Sequence, residues 1–325
     1  MSRPTLSVGI SRNDRVLPLL LGDVTPDLCD LTFEHGTPSQ VFWRALDEGA
    51  FDVTEMSLAS HCILTSRGEN PFVGLPVFTS RMFRHNAIFV AERSGIGTPE
   101  DLNGKRIGVP EYQMTAAVWA RGILSEFHGF DPRSVHWVRA GVNQAGRRER
   151  LPLHLPDGYD VTNAPDGVTL NDMIKAGDID AIIAPQIASA FQRQDGSVRR
   201  LFPDCRAAEI SYFRATRIFP IMHLLVMRRE VHAANPGLAG SISRAFAEAK
   251  TMSARHLYDG DAVYVMLPWL VDEVEQTRAL MGDNYWPYGI GANRGVLETM
   301  LRYLGEQHLL RQSIGVENLF AEGLD

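Results

Sequence analysis

Histidine and arginine occur together at the entrance of two apolar runs. In SRMFRHNAIFV, residues 80–90, Arg81, Arg84 and His85 stand just before AIFV. In RIFPIMHLLVM, residues 217–227, Arg217 and His223 precede LLVM. A histidine, with an unperturbed pKa of about 6.5, can take up or release a proton near neutral pH. A guanidinium can grip a carboxylate through two parallel hydrogen bonds, which the point charge of a lysine does not do. Proton transfer beside a bound carboxylate is therefore the chemistry these segments could carry. The bland alternative is a strand-end histidine bonded to backbone and arginines in surface ion pairs.

Other residues qualify by position. Glu111, Gln113 and Thr115 lie in PEYQMT, where a strand turns into a helix. A carboxylate there serves as an acid or base, or simply complements a helix N-terminus. Gln113 and Thr115 add donors beside the unsatisfied N–H groups of such a terminus. Glu55 and Ser57 hold the analogous place after FDV, and Arg12 and Arg15 follow the first strand. In DNYWPYGIGANR, Trp286, Tyr288 and Asn293 could stack on a ring or form a lid, or else pack helices together.

The elements that must position these residues alternate. LSVGI (6–10) and DLTFEHG (30–36) read as strands, and SQVFWRALDEG (39–49) as a helix capped by Ser39 and ended by Gly49. FDVTEMSLAS brings a strand and then a helix. Thr98 caps a short helix begun by Pro99, KRIGVP is a strand, and MTAAVWARGIL is the next helix. SVHWVRA and DIDAIIAP are further strands, with the helix TLNDMIKAG before the latter. This βαβ rhythm predicts mostly parallel sheets covered by helices. Residues 141–170, with RRER and LPLHLP, form an irregular stretch of a length usually reserved for function. After Asn235–Pro236 the chain turns helical, including AVYVMLPWLVDEVEQTRALMG, whose Met and Leu residues are expected in the core.

Composition narrows the class. A chain of 325 residues that is 45% hydrophobic can fill two lobes. No apolar run approaches the roughly 20 residues of a membrane span. MSRPTLSVGI enters a strand pattern without an apolar leader, which predicts a cytoplasmic protein. The net charge of −7 argues against nucleic acid as a partner. Cys29, Cys62 and Cys205 are too few and too scattered for a disulfide framework or a thiolate zinc site. GxxxxGK[ST], HExxH, GxSxG and GxGxxG are all absent, so no nucleotide cofactor is expected.

TPEDLNGKRIGVP, followed by a helix and later by GDIDAIIAP, resembles the type II periplasmic-binding-protein superfamily. A closer likeness spans nearly the whole chain. FRHNAIFV, GRRERLPLHLP, RIFPIMHLLVMRREVHAANP, DNYWPYGIGANRGVLETMLRYLGEQHLL and ENLFAEGL resemble the 4,5-dihydroxyphthalate decarboxylase family. The likeness implies an α/β fold of two lobes around a cleft, with the C-terminal helices packed on lobe one. Lobe one would comprise residues 1–92 and 216–325, and lobe two residues 93–215, with the chain crossing after AIFVAE and returning near RATRIFP.

The resemblance implies loss of carbon dioxide from a small aromatic dicarboxylate, giving 3,4-dihydroxybenzoate. Side-by-side crossovers would bring His85 and His223 to one cleft as catalytic groups with Glu111. Arg81, Arg84, Arg217, Arg15, Gln113, Thr115 and Tyr288 would bind substrate. No cofactor is expected. The alternative is a divalent metal on His85 and His223 with a carboxylate. Two competing functions are a solute-binding protein for an aromatic or dicarboxylic acid and a decarboxylase for a related acid. The resemblance leaves a homo-oligomer open.

Overall fold

The computed structural model describes residues 3–261 and 264–324. Among the described residues, eleven strands fall into two sheets. In chain order they are β1 (Thr5–Ile10), β2 (Asp30–His35), β3 (Val53–Ser57), β4 (Phe72–Arg81), β5 (Ile88–Ala91), β6 (Arg106–Val109), β7 (His136–Arg139), β8 (Asp160–Asn163), β9 (Ala181–Ile183), β10 (Val198–Arg200) and β11 (Ile221–Arg228). The first sheet has the order β2-β1-β3-β11-β4 and the second β10-β5-β9-β6-β7-β8. Strands joined by helical crossovers run parallel, whereas β11 is antiparallel to β3 and β4, and β5 is antiparallel to β9 and β10.

The two lobes expected from the sequence are these two sheets, but the first crossing lies earlier than residue 92. Ile88–Ala91 already pairs with Ile183, Ile182 and Ala181 of the second sheet. A four-residue apolar run does not reveal which sheet it will join, and its neighbours decided the matter. The crossings are therefore residues 82–87 and 217–220, with Met82 N–H donating to Pro220 O at 3.1 Å.

β4 escaped the sequence reading because Pro76 interrupts it. An edge strand tolerates proline, since one side of its ladder is unused, and β4 is the edge. Helix Pro38–Trp43 starts one cap earlier than expected, on Thr37 with a capping box to Gln40.

The C-terminal helices do not all keep to lobe one. Gly237–His256 does, burying Leu238, Ile242, Phe246 and Ala249 against Val8, Val53 and Leu225. Helix Arg294–Glu306 instead lies across helices Leu58–Arg67 and Thr115–His128, one from each lobe. Gly122 makes that approach possible: a Cβ there would stand 2.2 Å from the Tyr303 ring. Buried Arg121 reinforces the contact, donating to Gln307 Oε1 at 2.9 Å and Tyr112 O at 2.6 Å.

The AVYVMLPWL stretch departs from expectation. Its helix begins only at Leu270, after Pro268, and Met266, Leu267 and Trp269 are exposed rather than core; Ala262 and Val263 lie outside the described residues. Proline lacks the N–H that a continuing helix needs. No helix among the described residues is long and apolar enough to cross a membrane.

Candidate active site

Glu55 sits on β3, in the middle of the first sheet, and is 1% exposed. A buried carboxylate must be hydrogen-bonded to be tolerated, and this one is. Ser11 gives its backbone N–H at 2.9 Å and its hydroxyl to Oε2. Thr79 Oγ1 donates to Oε1 at 3.2 Å, and His223 Nδ1 lies 2.7 Å from the same oxygen. Burial alone would raise the carboxyl pKa, but the His223 and Ser11 hydrogen bonds outweigh it and hold Glu55 below its ordinary value. An ionised carboxylate only accepts, so His223 presents Nδ1–H to it and keeps Nε2 for another partner. Among the described residues Nε2 has none.

Local strand geometry builds this pair. His223 pairs with Ser57 and Glu55 with Leu225 across the β3–β11 ladder, so the two are diagonal neighbours on one face. On the other side of β11, the register with β4 shifts on both sides of His223. A bulge re-aims the side chain it carries. The imidazole stands edge-on to Phe42, with ring centroids 4.9 Å apart.

The lobes meet next to this pair. Ser57 caps helix Leu58–Arg67, Thr115 opens helix Thr115–His128, and their hydroxyls lie 2.8 Å apart. Thr115 Oγ1 also accepts the Ala59 N–H at 3.0 Å. Two helix N-termini thus face each other across the lobe boundary, a setting that favours an anion.

From lobe two, the strap 141–155 reaches over. Glu111, 2% exposed, accepts from Arg147 Nε at 2.9 Å and Nη2 at 2.5 Å, and from Arg150 Nη2 at 2.8 Å, all on Oε1. Glu149 accepts from the backbone N–H of Tyr112 and lies 3.5 Å from Arg139. Burial raises the Glu149 carboxyl pKa, and the charge of Glu111 adds to it. A cavity of about 400 Å³ opens between Ser39 and Trp43 of lobe one and Gly141–Arg147 of lobe two.

The remaining candidates from the sequence are placed elsewhere or turned to other partners. His85 is 3% exposed, its ring 5.2 Å from Phe202 and 5.4 Å from Tyr212. Burial, with His128 nearby, lowers its pKa to about 4, and its Nδ1 has no partner. None of these neighbours belongs to the Glu55–His223 set. Arg81 donates to Phe219 O at 3.0 Å, to Pro287 O at 2.8 Å and to Asn293 Oδ1. Those acceptors are the return crossing and the C-terminal loop, so Arg81 staples the hinge. Arg84 packs on the sulfurs of Met222 and Met82. Arg217 caps helix Cys205–Thr216 at φ 58° and stacks on Phe213.

Arg15 pairs with Asp14 at 2.6 Å, donates to Thr79 O and lies 4.1 Å over Trp286, one residue removed from Glu55. The Tyr288 hydroxyl is buried without a partner. Gln113 donates to Leu151 O at 2.9 Å. Among the described residues no three His, Cys, Asp or Glu side chains group closely enough to hold a metal ion, so the His85–His223 metal set is not assembled.

Two curated relatives cover most of the chain. A 4,5-dihydroxyphthalate decarboxylase of Comamonas testosteroni is 38% identical over 308 residues, 95% of this chain and 92% of its own. One of Pseudomonas putida is 40% identical over 215 residues, 66% of this chain and 83% of its own. The chain belongs to the 4,5-dihydroxyphthalate decarboxylase family. No protein-family model matches it.

Solved structures show the fold of this family member. The alkanesulfonate-binding protein SsuA of Xanthomonas axonopodis pv. citri, bound to MOPS, aligns with a TM-score of 0.55 at 14% identity, covering 98% of this chain and 99% of its own. The Escherichia coli sulphonate-binding protein aligns at 0.53, also at 14% identity, over 99% of both chains. This chain thus has a type II periplasmic-binding-protein-like fold. Within it, sequence reasoning left Arg147, Arg150 and Phe42 unassigned. The available signals for the two arginines were the four charges of RRER inside the irregular stretch 141–170 and the place of GRRERLPLHLP among the motifs of the family likeness.

Proposed function

We propose that this protein is a carboxy-lyase that converts 4,5-dihydroxyphthalate to 3,4-dihydroxybenzoate and carbon dioxide, with His223 as the proton-transferring group. Family membership supports the reaction. The observation that carries the residue assignment is the saturated Glu55 carboxylate, whose acceptors are all in use and whose position on His223 Nδ1 leaves Nε2 as the working nitrogen.

Each carboxylate of this substrate lies para to one hydroxyl. His223 Nε2 takes the proton of the hydroxyl para to the departing carboxylate. The electron pair of that oxygen flows to the para carbon, which gains a proton from solvent while its bond to the carboxylate carbon breaks. Carbon dioxide leaves, and the imidazolium returns its proton to the phenolate oxygen. Glu55 stabilises the transient imidazolium and fixes the tautomer, as a carboxylate behind a histidine does in other proton relays. Closure of the lobes removes bulk water, which would otherwise stabilise the charge being lost, and leaves only the water that delivers the proton to the ring carbon.

We propose that no cofactor takes part and that the protein acts in the cytoplasm; three unpaired cysteines are in keeping with a reducing compartment. Incubating pure protein with the substrate and following carbon dioxide and the ultraviolet spectrum tests the reading. Absence of turnover, with and without added divalent ions, overturns it.

A further inference from the structure

Arg150 comes from lobe two but is buried against lobe one. Its Nη1 lies 3.4 Å from Ser60 Oγ, and its guanidinium carbon stands 5.0 Å from the Phe42 ring centre. Neighbouring links hold the strap in the same place: Arg148 stacks on Trp43 at 4.9 Å, and Arg67 donates to Pro152 O at 2.9 Å. Phe42 therefore has the guanidinium of Arg150 and the imidazole of His223 as neighbours at nearly equal distance. The two groups therefore lie less than 10 Å apart, on the lobe-one and lobe-two sides of the Phe42 ring.

Charge around Arg150 is unbalanced. Arg139, Arg147 and Arg150 face Glu111 and Glu149, three cations against two carboxyls, and burial disfavours ionisation of Glu149. A buried excess of positive charge is costly unless an anion answers it. Arg150 Nε–H is also buried with no acceptor. An orphaned guanidinium donor, in a cluster short of one negative charge beside a cleft of small-molecule size, is a site for a carboxylate.

We propose that Arg150 holds the carboxylate that the substrate keeps, with Arg147 and Glu111 fixing its guanidinium, an assignment that rests on the decarboxylase reading. The substrate has two adjacent carboxylates. Gripping the one that leaves would stabilise the charge that must be lost, so the strong donor belongs on the one that stays. Bound there, the ring carries its hydroxyl edge away from Arg150 and toward His223. The same two residues thus fix both the orientation of the ring and the distance over which its electrons move.

Three ligands separate the possibilities. 3,4-Dihydroxybenzoate carries only the retained carboxylate, catechol carries neither, and the substrate carries both. Calorimetry or inhibition should show Arg150→Gln binding 3,4-dihydroxybenzoate about 30-fold or more weakly, the loss of a charge-assisted pair of hydrogen bonds. KM for the substrate should rise in parallel, catechol binding should stay within about twofold of wild type, and Arg150→Lys should recover part of the loss. Equal weakening of catechol and 3,4-dihydroxybenzoate overturns the proposal, as does no weakening of either. Weakening of substrate alone would move Arg150 to the departing carboxylate and also overturns it. If Arg150→Gln does not fold, judged by its circular dichroism, the lysine variant carries the same comparison and is expected to show selective loss. A wild-type protein without turnover sinks the decarboxylase reading, whereas carboxylate-selective binding through Arg150 would still be read directly.

Discussion

His223 Nδ1 lies 2.7 Å from Oε1 of a Glu55 that is 1% exposed, and both side chains project from one face of neighbouring antiparallel strands. Because Ser11 and Thr79 occupy the rest of the carboxylate, Glu55 orients the histidine, stabilises the imidazolium that forms during the reaction and does not carry protons itself. His223→Gln should lower kcat about 10²-fold or more with KM changed little, as expected for a lost proton-transfer group. Glu55→Gln should also lower kcat, while leaving the imidazole in place with the wrong tautomer favoured. Rates near wild type for either variant, in folded protein, would remove the pair from the chemistry.

Two other buried histidines make a pH prediction. His61 is held neutral, with Nε2 2.8 Å from Leu319 O and Nδ1 accepting from Asn70 Nδ2 at 3.0 Å, and burial lowers its pKa to about 4. Burial lowers His85 to about 4 as well. In the unfolded chain both titrate near pH 6.5, so between about pH 6.5 and 4 the unfolded state binds more protons than the folded one. Stability is then fully present above pH 6.5 and falls as the pH drops toward 4, by up to about 1.4 kcal/mol per pH unit for each histidine. Thermal melts across that range should show a falling Tm, and His85→Phe should flatten the slope. The same variant should keep kcat within about threefold of wild type. A loss near 10²-fold in a folded His85→Phe would give His85 a chemical part despite its aromatic surroundings.

Much of this arrangement was legible in the sequence. The βαβ alternation and the apolar runs that become β5 and β11, just after each crossing, follow from periodicity and capping signals. What was hidden is tertiary. The sequence shows His85 and His223 in matching local settings, yet the first chain crossing falls at residues 82–87, and the His85 ring turns onto Phe202 and Tyr212 of lobe two. The arginines nearest those histidines drew attention by proximity in sequence. The arginines at the cleft, Arg147 and Arg150, come from an irregular strap whose path no local pattern encodes.

Chelation supplies an independent check on the chemistry. The proposed proton path uses His223 and solvent, with Glu55 holding the imidazole, and assigns no step to a metal. Dialysis against a strong chelator should therefore leave kcat within about twofold of its starting value, since no Lewis-acid contribution is being removed. Loss of activity that returns with a divalent ion would replace the proposed mechanism by a metal-assisted one.

Arg81 offers a test of the hinge. It is 3% exposed and donates to the carbonyls of Phe219 and Pro287 and to Asn293 Oδ1, tying the end of β4 to the return crossing and to the loop before helix Arg294–Glu306. Its guanidinium also lies 5.2 Å from the Phe78 ring centre. Arg81→Met keeps much of the apolar stem but leaves Phe219 O and the buried Asn293 Oδ1 without a donor, while Pro287 O keeps the Asn293 Nδ2 hydrogen bond at 3.1 Å. Each such orphan costs about 1–3 kcal/mol, so unfolding in urea should show a loss of about 2 kcal/mol or more. Lysine has three donors but not the planar fork, so Arg81→Lys should recover only part of this. The affinity of the folded variants for 3,4-dihydroxybenzoate should remain within about threefold of wild type, because the clamp at Arg150 is untouched. A large selective fall in that affinity without a fall in stability would instead place Arg81 on the ligand.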